Sequence, residues 1–333
     1  MTKKKLMLLE NYINLFIEDK ELENKSPKTI EYYAENLNRF WNYLINNLKI
    51  ENPMIDDFNL ENVNEYRRYL KNKNKEVDNP TFRAVLKEKI SDSSYATYLR
   101  AVRVFGNWLY KRDYTNFDIV KYIDLPKESK KHVKILSEQE VLTIFNQFDL
   151  KTQLGYRNYL ITRFAFDYGF RMGSIIRIKK SDIDFTANTL MIWSKGNKYD
   201  LYNIDKDIKK KLFDFITKFE NDSEYLFTTN DGQQINENTI KKMFIKLKET
   251  TNIKELSCHM LRYNFATNYI SMGHSVEELK YQLGHSTTAM SEKYLEMSLS
   301  AKYLRAEHDS KLLRIQKGKT TSTKKSYLKR KSA

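Results

Sequence analysis

Apolar side chains in the first 125 residues recur at three- and four-residue spacing, the period of helices with one buried face. One such stretch covers residues 6–17. A second opens at Ser26-Pro27, where serine suits the N-cap and proline the first helical position. Its face continues through Ile30, Tyr33, Leu37, Phe40, Trp41 and Leu44. Residues 66–70 fall in a third helix and 94–109 in a fourth, with a polar insert at 71–80 between the two halves. This spacing predicts a small helical bundle.

The pattern breaks at Pro126, and the hydrophilic run 127–134 that follows carries four lysines. Ser137-Glu138-Gln139-Glu140 then has the form of a capping box that starts a new helix. Residues 189–194 and 199–204 are rich in strand-forming side chains and flank Lys195-Gly196-Asn197-Lys198. They read as a β-hairpin with Gly196-Asn197 at its tip. Helical periodicity returns at Lys206 and lasts to about Arg314, with a loop around Asn230-Asp231-Gly232. The expected fold is mainly α and has two domains, which 333 residues can supply with separate cores. Residues 1–126 form a helical bundle and 127–136 a basic linker. Residues 137–315 form a mostly helical α+β domain with a small antiparallel sheet, and 316–333 a basic tail read as disordered.

Composition changes this picture little, but charge adds to it. Apolar residues make up 41% and aromatics 13%, as in a folded protein. Cys258 is the one cysteine, so no disulfide can form within the chain, and a reducing cytoplasm is the expected location. Lys3, Lys4 and Lys5 precede an apolar run that Glu10 and Asn11 interrupt, which argues against a signal peptide or membrane anchor. The net charge is +15, of which residues 316–333 hold seven, Lys3 to Lys5 three, and 127–134 a net three. The remaining body is nearly balanced. The ends and linker would therefore attract a polyanion such as DNA, and the tail fits a DNA contact or a solvated end equally well.

The candidate chemistry lies in the second half. His259 and Arg262 stand three apart on one helix, where they can offer a proton carrier and a bidentate cation to one phosphate. His285 follows Leu283-Gly284, and Tyr294 comes nine residues later with a hydroxyl that could attack. Arg171 in Gly169-Phe170-Arg171 and Lys195 in the hairpin turn add a second guanidinium and an acid, with Lys198 as the alternative lysine. The set reads as metal-free cutting of DNA through a phosphotyrosine link, with no cofactor. A zinc site built from Cys258, His259, His274 and His285 is the competing assignment, but it lacks the usual ligand spacing.

Arg171, Lys195, His259-x-x-Arg262, Leu283-Gly284-His285 and Tyr294, in this order and spacing, resemble the tyrosine recombinase (phage integrase) family. Ser181-Asp182-Ile183-Asp184, Phe265-Ala266-Thr267 and Gly273 match it as well. The resemblance implies that 1–126 is a core-binding, DNA-binding domain and that 137–315 is the catalytic domain. It implies a site-specific recombinase acting on double-stranded DNA as a homotetramer, either Xer-like or the integrase of a mobile element. Tyr294 would form a 3′-phosphotyrosyl link, Lys195 would protonate the leaving 5′-oxygen, and residues 299–315 would pack on a neighbouring subunit or on their own domain. Two positions depart from the family pattern: Tyr263 replaces a second histidine after Arg262, and Ser174 replaces an acid three residues after Arg171. A DNA-binding relative without catalysis and a type IB topoisomerase-like relaxing enzyme are the alternative readings.

Overall fold

The structure, a computed structural model, describes residues 8–75, 88–126, 134–193, 199–285, 287–288 and 291–292. The chain divides into two compact units, Met1–Lys131 and His132–Ala333.

The first unit is helical. It contains α1 (Leu9–Leu22), α2 (Pro27–Asn46), α3 (Leu60–Asn72), α4 (Asp92–Lys111) and a single turn, α5 (Ile119–Tyr122). Local chemistry sets the helix starts: Pro27 occupies the first position of α2, and the side chains of Asn59 and Ser91 accept amide hydrogens at the starts of α3 and α4. The apolar faces meet around Phe16, Leu37, Phe40, Phe58, Leu99 and Phe105, all fully buried. Helix α1 runs more than a turn past Ile17, where the apolar spacing ends. Its polar last turn is held from α4, because Asp19 accepts from Trp108 Nε1 at 2.8 Å and pairs with Arg112. The polar insert also starts later than its composition suggests: α3 continues through Asn72, Lys73 is buried, and Asn74 bridges to Lys89. Residues 76–80 of that insert lie outside the described residues.

The second unit is mainly α with a small sheet. Its helices are α6 (Glu138–Phe145), α7 (Gln153–Asp167), α8 (Met172–Ile176), α9 (Lys206–Lys218), α10 (Glu237–Thr251), α11 (Cys258–Ser271) and α12 (Val276–Leu283). Ser137 and Glu140 form the capping box of α6. Strands β2 (Thr189–Trp193) and β3 (Tyr199–Asn203) pair antiparallel with Trp193 opposite Tyr199, while the turn that joins them lies outside the described residues. A third strand, β1 (Ile183–Asp184), adds to the edge of β2. At two residues it is too short for alternation to reveal it. The break after α9 spans 219–236, wider than the Asn230-Asp231-Gly232 turn, because bridges Lys179–Tyr225 and Thr228–Gln234 hold it as extended chain.

Helices α7 and α11 form the centre of this unit. Both are buried on most sides, from Tyr156 through Phe166 on α7 and over almost all of α11. A helix buried all round has no polar stripe to record its orientation. Arg163 of α7 is wholly buried and pairs with Asp167 and, across to α9, with Asp207, while Tyr159 Oη accepts from its Nη1 at 2.8 Å. On α11, the Asn264 amide clasps the incoming chain: its oxygen accepts from Leu136 N at 2.7 Å and its nitrogen donates to Lys134 O at 3.1 Å. The expected helix over 299–315 and the basic tail lie outside the described residues. No helix among the described residues is long and apolar enough to cross a membrane.

Candidate active site

Helix α7 stops at Asp167, and Gly169 turns the chain with φ +68°, in the left-handed region that favours glycine. Space also demands glycine here, since a Cβ would lie 2.5 Å from Phe265 Cδ1 and 2.9 Å from Leu283 Cδ2. Phe170 then anchors the turn in the core, its ring 4.7 Å from that of Tyr202. With Phe170 held inward, Arg171 emerges at the N-cap of α8.

The other half of the site is the C-terminal end of α12. Ser275 and Glu278 start this helix with a capping box, and Gly284 ends it at φ +58°. His285 N donates back to Lys280 O at 2.9 Å, a turn closure that needs the left-handed glycine. The last carbonyls of α12 would otherwise be unsatisfied, and three side chains cap them. Tyr202 Oη donates to Gln282 O at 2.9 Å. Arg262 Nη2 and Arg171 Nη1 both donate to Leu283 O, at 2.8 and 3.0 Å, and Arg171 Nη1 also reaches Gly284 O at 3.2 Å. Arg262 Nη1 donates to Gly169 O as well, so this buried guanidinium ties the Gly169 turn to the α12 terminus. The negative end of the helix dipole favours both cations.

His285 completes the group. Its Nε2 lies 3.0 Å from Arg262 Nη2 and its Nδ1 2.7 Å from Ser291 Oγ, all three residues being buried. Arg171, Arg262 and His285 are thus brought together around one carbonyl. His259 stands one turn before Arg262 on α11 and, unlike Arg262, is exposed. Lys195, Lys198 and Tyr294 lie outside the described residues.

The two departures from the family pattern have defined places. Ser174 is buried and its Oγ donates to Trp193 O at 3.0 Å, so it ties α8 to the strand that leads into the Lys195 turn. Tyr263 packs with Phe265, Tyr269, Ile270, Leu279 and Leu283 between α11 and α12. The zinc alternative finds no geometry: among the described residues no group of three or more His, Cys, Asp or Glu could hold a metal ion. His274 stacks on Tyr269 instead, with ring centroids 4.0 Å apart. Burial pushes the Cys258 thiol up to about 12, so it stays protonated beside the site.

Tyr202 and Ser291 are the two contributors that motif spacing did not single out. Burial, followed by the charge of Asp200, pushes the Tyr202 hydroxyl up to about 12, while Arg262 and Arg171 oppose the shift. It is a tyrosine beside both arginines, yet its proton is committed to a carbonyl. A hydrogen-bonding residue in the hairpin strand was the one signal available for Tyr202. Ser291 is one of several serines and threonines that follow His285, with nothing to distinguish it.

Among the described residues, only Nη1 of Arg171 is bonded, which leaves Nε and Nη2 able to hold two oxygens of one anion in a plane. Two guanidiniums with an imidazole between the ends of α11 and α12 can stabilise negative charge that builds on a phosphate during attack.

The chain is similar to known proteins in sequence and fold. The model of the phage integrase family matches residues 134–300, half of the chain. The tyrosine recombinase XerC of Bacillus licheniformis is 25% identical over 323 residues, covering 93% of this chain and 99% of that protein. Among solved structures, the XerH site-specific recombinase bound to a palindromic difH substrate superposes with a TM-score of 0.63 at 17% identity, over 84% of this chain and 80% of that one. A lambda integrase tetramer bound to a Holliday junction gives 0.64 at 15% identity, over 87% and 78%. With the match to half its length, and with the arginines, histidine and helix ends arranged as described, the chain belongs to the phage integrase family.

Proposed function

We propose that this protein is a site-specific tyrosine recombinase that cuts and rejoins double-stranded DNA through a 3′-phosphotyrosyl intermediate at Tyr294. The observation that carries the reading is the convergence of Arg171 and Arg262 on Leu283 O, with His285 against Arg262. A phosphodiester under attack passes through five-coordinate phosphorus with added negative charge on its oxygens, and fixed cations there stabilise the transition state most. Tyr294 forms the new bond to phosphorus and gives its proton to a neutral histidine, with His259 and His285 as the candidates. The bond to the 5′-oxygen breaks, and Lys195 supplies the proton for that oxygen. The phosphotyrosine conserves the energy of the original bond, so rejoining by a second 5′-hydroxyl requires no cofactor.

By similarity to the Xer and lambda proteins, the partner is a DNA duplex with a specific recombination site, held by a homotetramer that exchanges one pair of strands at a time. Residues 1–126 serve as its core-binding domain and 137–315 as its catalytic domain. The enzyme works in the cytoplasm, consistent with its single buried cysteine.

The test uses duplexes that the protein selects from a random pool, nicked near the scissile phosphate so that a covalent adduct is trapped. Wild type yields an adduct that survives denaturation. Tyr294→Phe keeps its affinity and yields none, and Tyr202→Phe still yields it. Adducts from Tyr294→Phe would move the nucleophile elsewhere. Wild-type binding without adducts would leave only a DNA-binding role. Relaxation of supercoiled plasmid without recombinant products would favour the topoisomerase-like reading.

A further inference from the structure

We infer that Arg262 fixes the tautomer of His285 and that Ser291 is a positioning residue that holds the ring by accepting its Nδ1 proton. The argument starts from what a guanidinium can do. All its nitrogens are donors and it has no lone pair to accept with. At 3.0 Å from Arg262 Nη2, His285 Nε2 is therefore the acceptor. A neutral imidazole has one acceptor and one N–H, so the hydrogen sits on Nδ1, which donates to Ser291 Oγ at 2.7 Å. Ser291 is fully buried and His285 nearly so, so water cannot readily replace this acceptor. The other tautomer would turn an N–H against the guanidinium N–H and leave Nδ1 facing the hydroxyl without its hydrogen.

The backbone around Ser291 adds a consequence. Ser291 N and Glu292 N both donate to Thr288 O, at 2.7 and 2.9 Å, so Ser291 stands at the start of a helical turn. Tyr294 follows three residues later in the chain. Any displacement that draws Ser291 from His285 takes the hydroxyl away from Nδ1 and loosens the hold on the ring. The orientation of His285 then depends on the placement of Ser291, three residues before the proposed nucleophile. Only this consequence rests on the recombinase reading, since the assignment of the proton rests on the contacts alone.

The test has a spectroscopic arm and a kinetic arm. In protein labelled with ¹⁵N-histidine, long-range proton–nitrogen correlation spectra distinguish a protonated ring nitrogen from one with a lone pair, and His285→Gln assigns the signals. Wild type is expected to show a protonated Nδ1 and an unprotonated Nε2. Ser291→Ala should keep Nε2 unprotonated, since Arg262 still donates to it, but shift and broaden the Nδ1 signal, and Ser291→Thr should keep the wild-type spectrum. With the selected DNA, single-turnover adduct formation by Ser291→Ala should slow by roughly 10- to 100-fold at unchanged DNA affinity, and Ser291→Thr should restore it. A proton on Nε2 in wild type, or a Ser291→Ala protein with wild-type spectrum and rate, overturns the inference. If Ser291→Ala fails to fold, Ser291→Cys, a weaker acceptor of similar size, replaces it with the same expected spectrum and loss of rate. Should wild type form no adduct on any DNA while its spectrum is as expected, the recombinase reading falls and the assignment of the proton stands.

Discussion

Three side chains with displaced titration give predictions at the scale of single residues. Lys73 is buried at the end of α3, and its amine is pushed down to about 8 by burial and then by the nearby Arg39 charge. In the unfolded chain the same amine loses its proton near pH 10.4. Between these values the unfolded state binds one more proton than the folded one, so stability rises with pH across that window. Below about pH 8 the buried charge is a full penalty. Lys73→Met is therefore expected to stabilise the protein at pH 7 by on the order of 1–2 kcal/mol, allowing for water that reaches the amine. The gain should fade toward pH 10.5, as urea unfolding at the two pH values will show. Cys258, held protonated by burial, should react with a thiol reagent only after denaturation and then as one equivalent. Tyr202→Phe removes the hydroxyl that caps Gln282 O. About 1 kcal/mol of stability should be lost. Adduct formation should continue, because that hydroxyl's proton is committed to a carbonyl and Tyr294 is the proposed nucleophile.

Elements show which parts of this fold the sequence could disclose and which it could not. Helices α2 and α4 could be read because one face of each is buried and the other wet, and α6 because Ser137 and Glu140 stand three residues apart, as a capping box requires. The far end of α1 could not, since Asp19 owes its place to Trp108 and Arg112, some ninety residues away. Strand β1 was hidden by its length and the orientation of α11 by burial on most of its sides. The site divides the same way. His259-x-x-Arg262 and Leu283-Gly284-His285 are local patterns, whereas the carbonyls that orient the arginines come from turns remote in sequence. Gly169 joins the two levels, because its conformation and its missing side chain let the α7–α8 turn lie against Phe265 and Leu283. Gly169→Ala should cost about 2–4 kcal/mol through backbone strain and overpacking together. Because Gly169 O accepts from Arg262, adduct formation should fall further than the loss of stability explains. Chemical denaturation and single-turnover rates, measured on the same preparation, separate the two effects.

For the whole molecule, the distribution of charge matters more than its total. Of the net +15, residues 316–333 hold seven, while the chain without its basic ends and linker is close to neutral. Non-specific affinity for DNA should then come mainly from the ends and linker, and discrimination between sequences from the folded units. Each phosphate neutralised contributes about 0.9 to the slope of log affinity against log salt, so seven cations can contribute up to about 6. Removing residues 316–333 should flatten that slope by several units for a scrambled duplex and weaken its binding most at low salt. The ratio of affinities for a selected and a scrambled duplex should rise, since the term common to both is the one removed. Titrations from 50 to 300 mM salt with both duplexes give slope and ratio together. An unchanged slope would mean that the tail is a solvated end and that cations sorted onto faces of the balanced body hold the DNA.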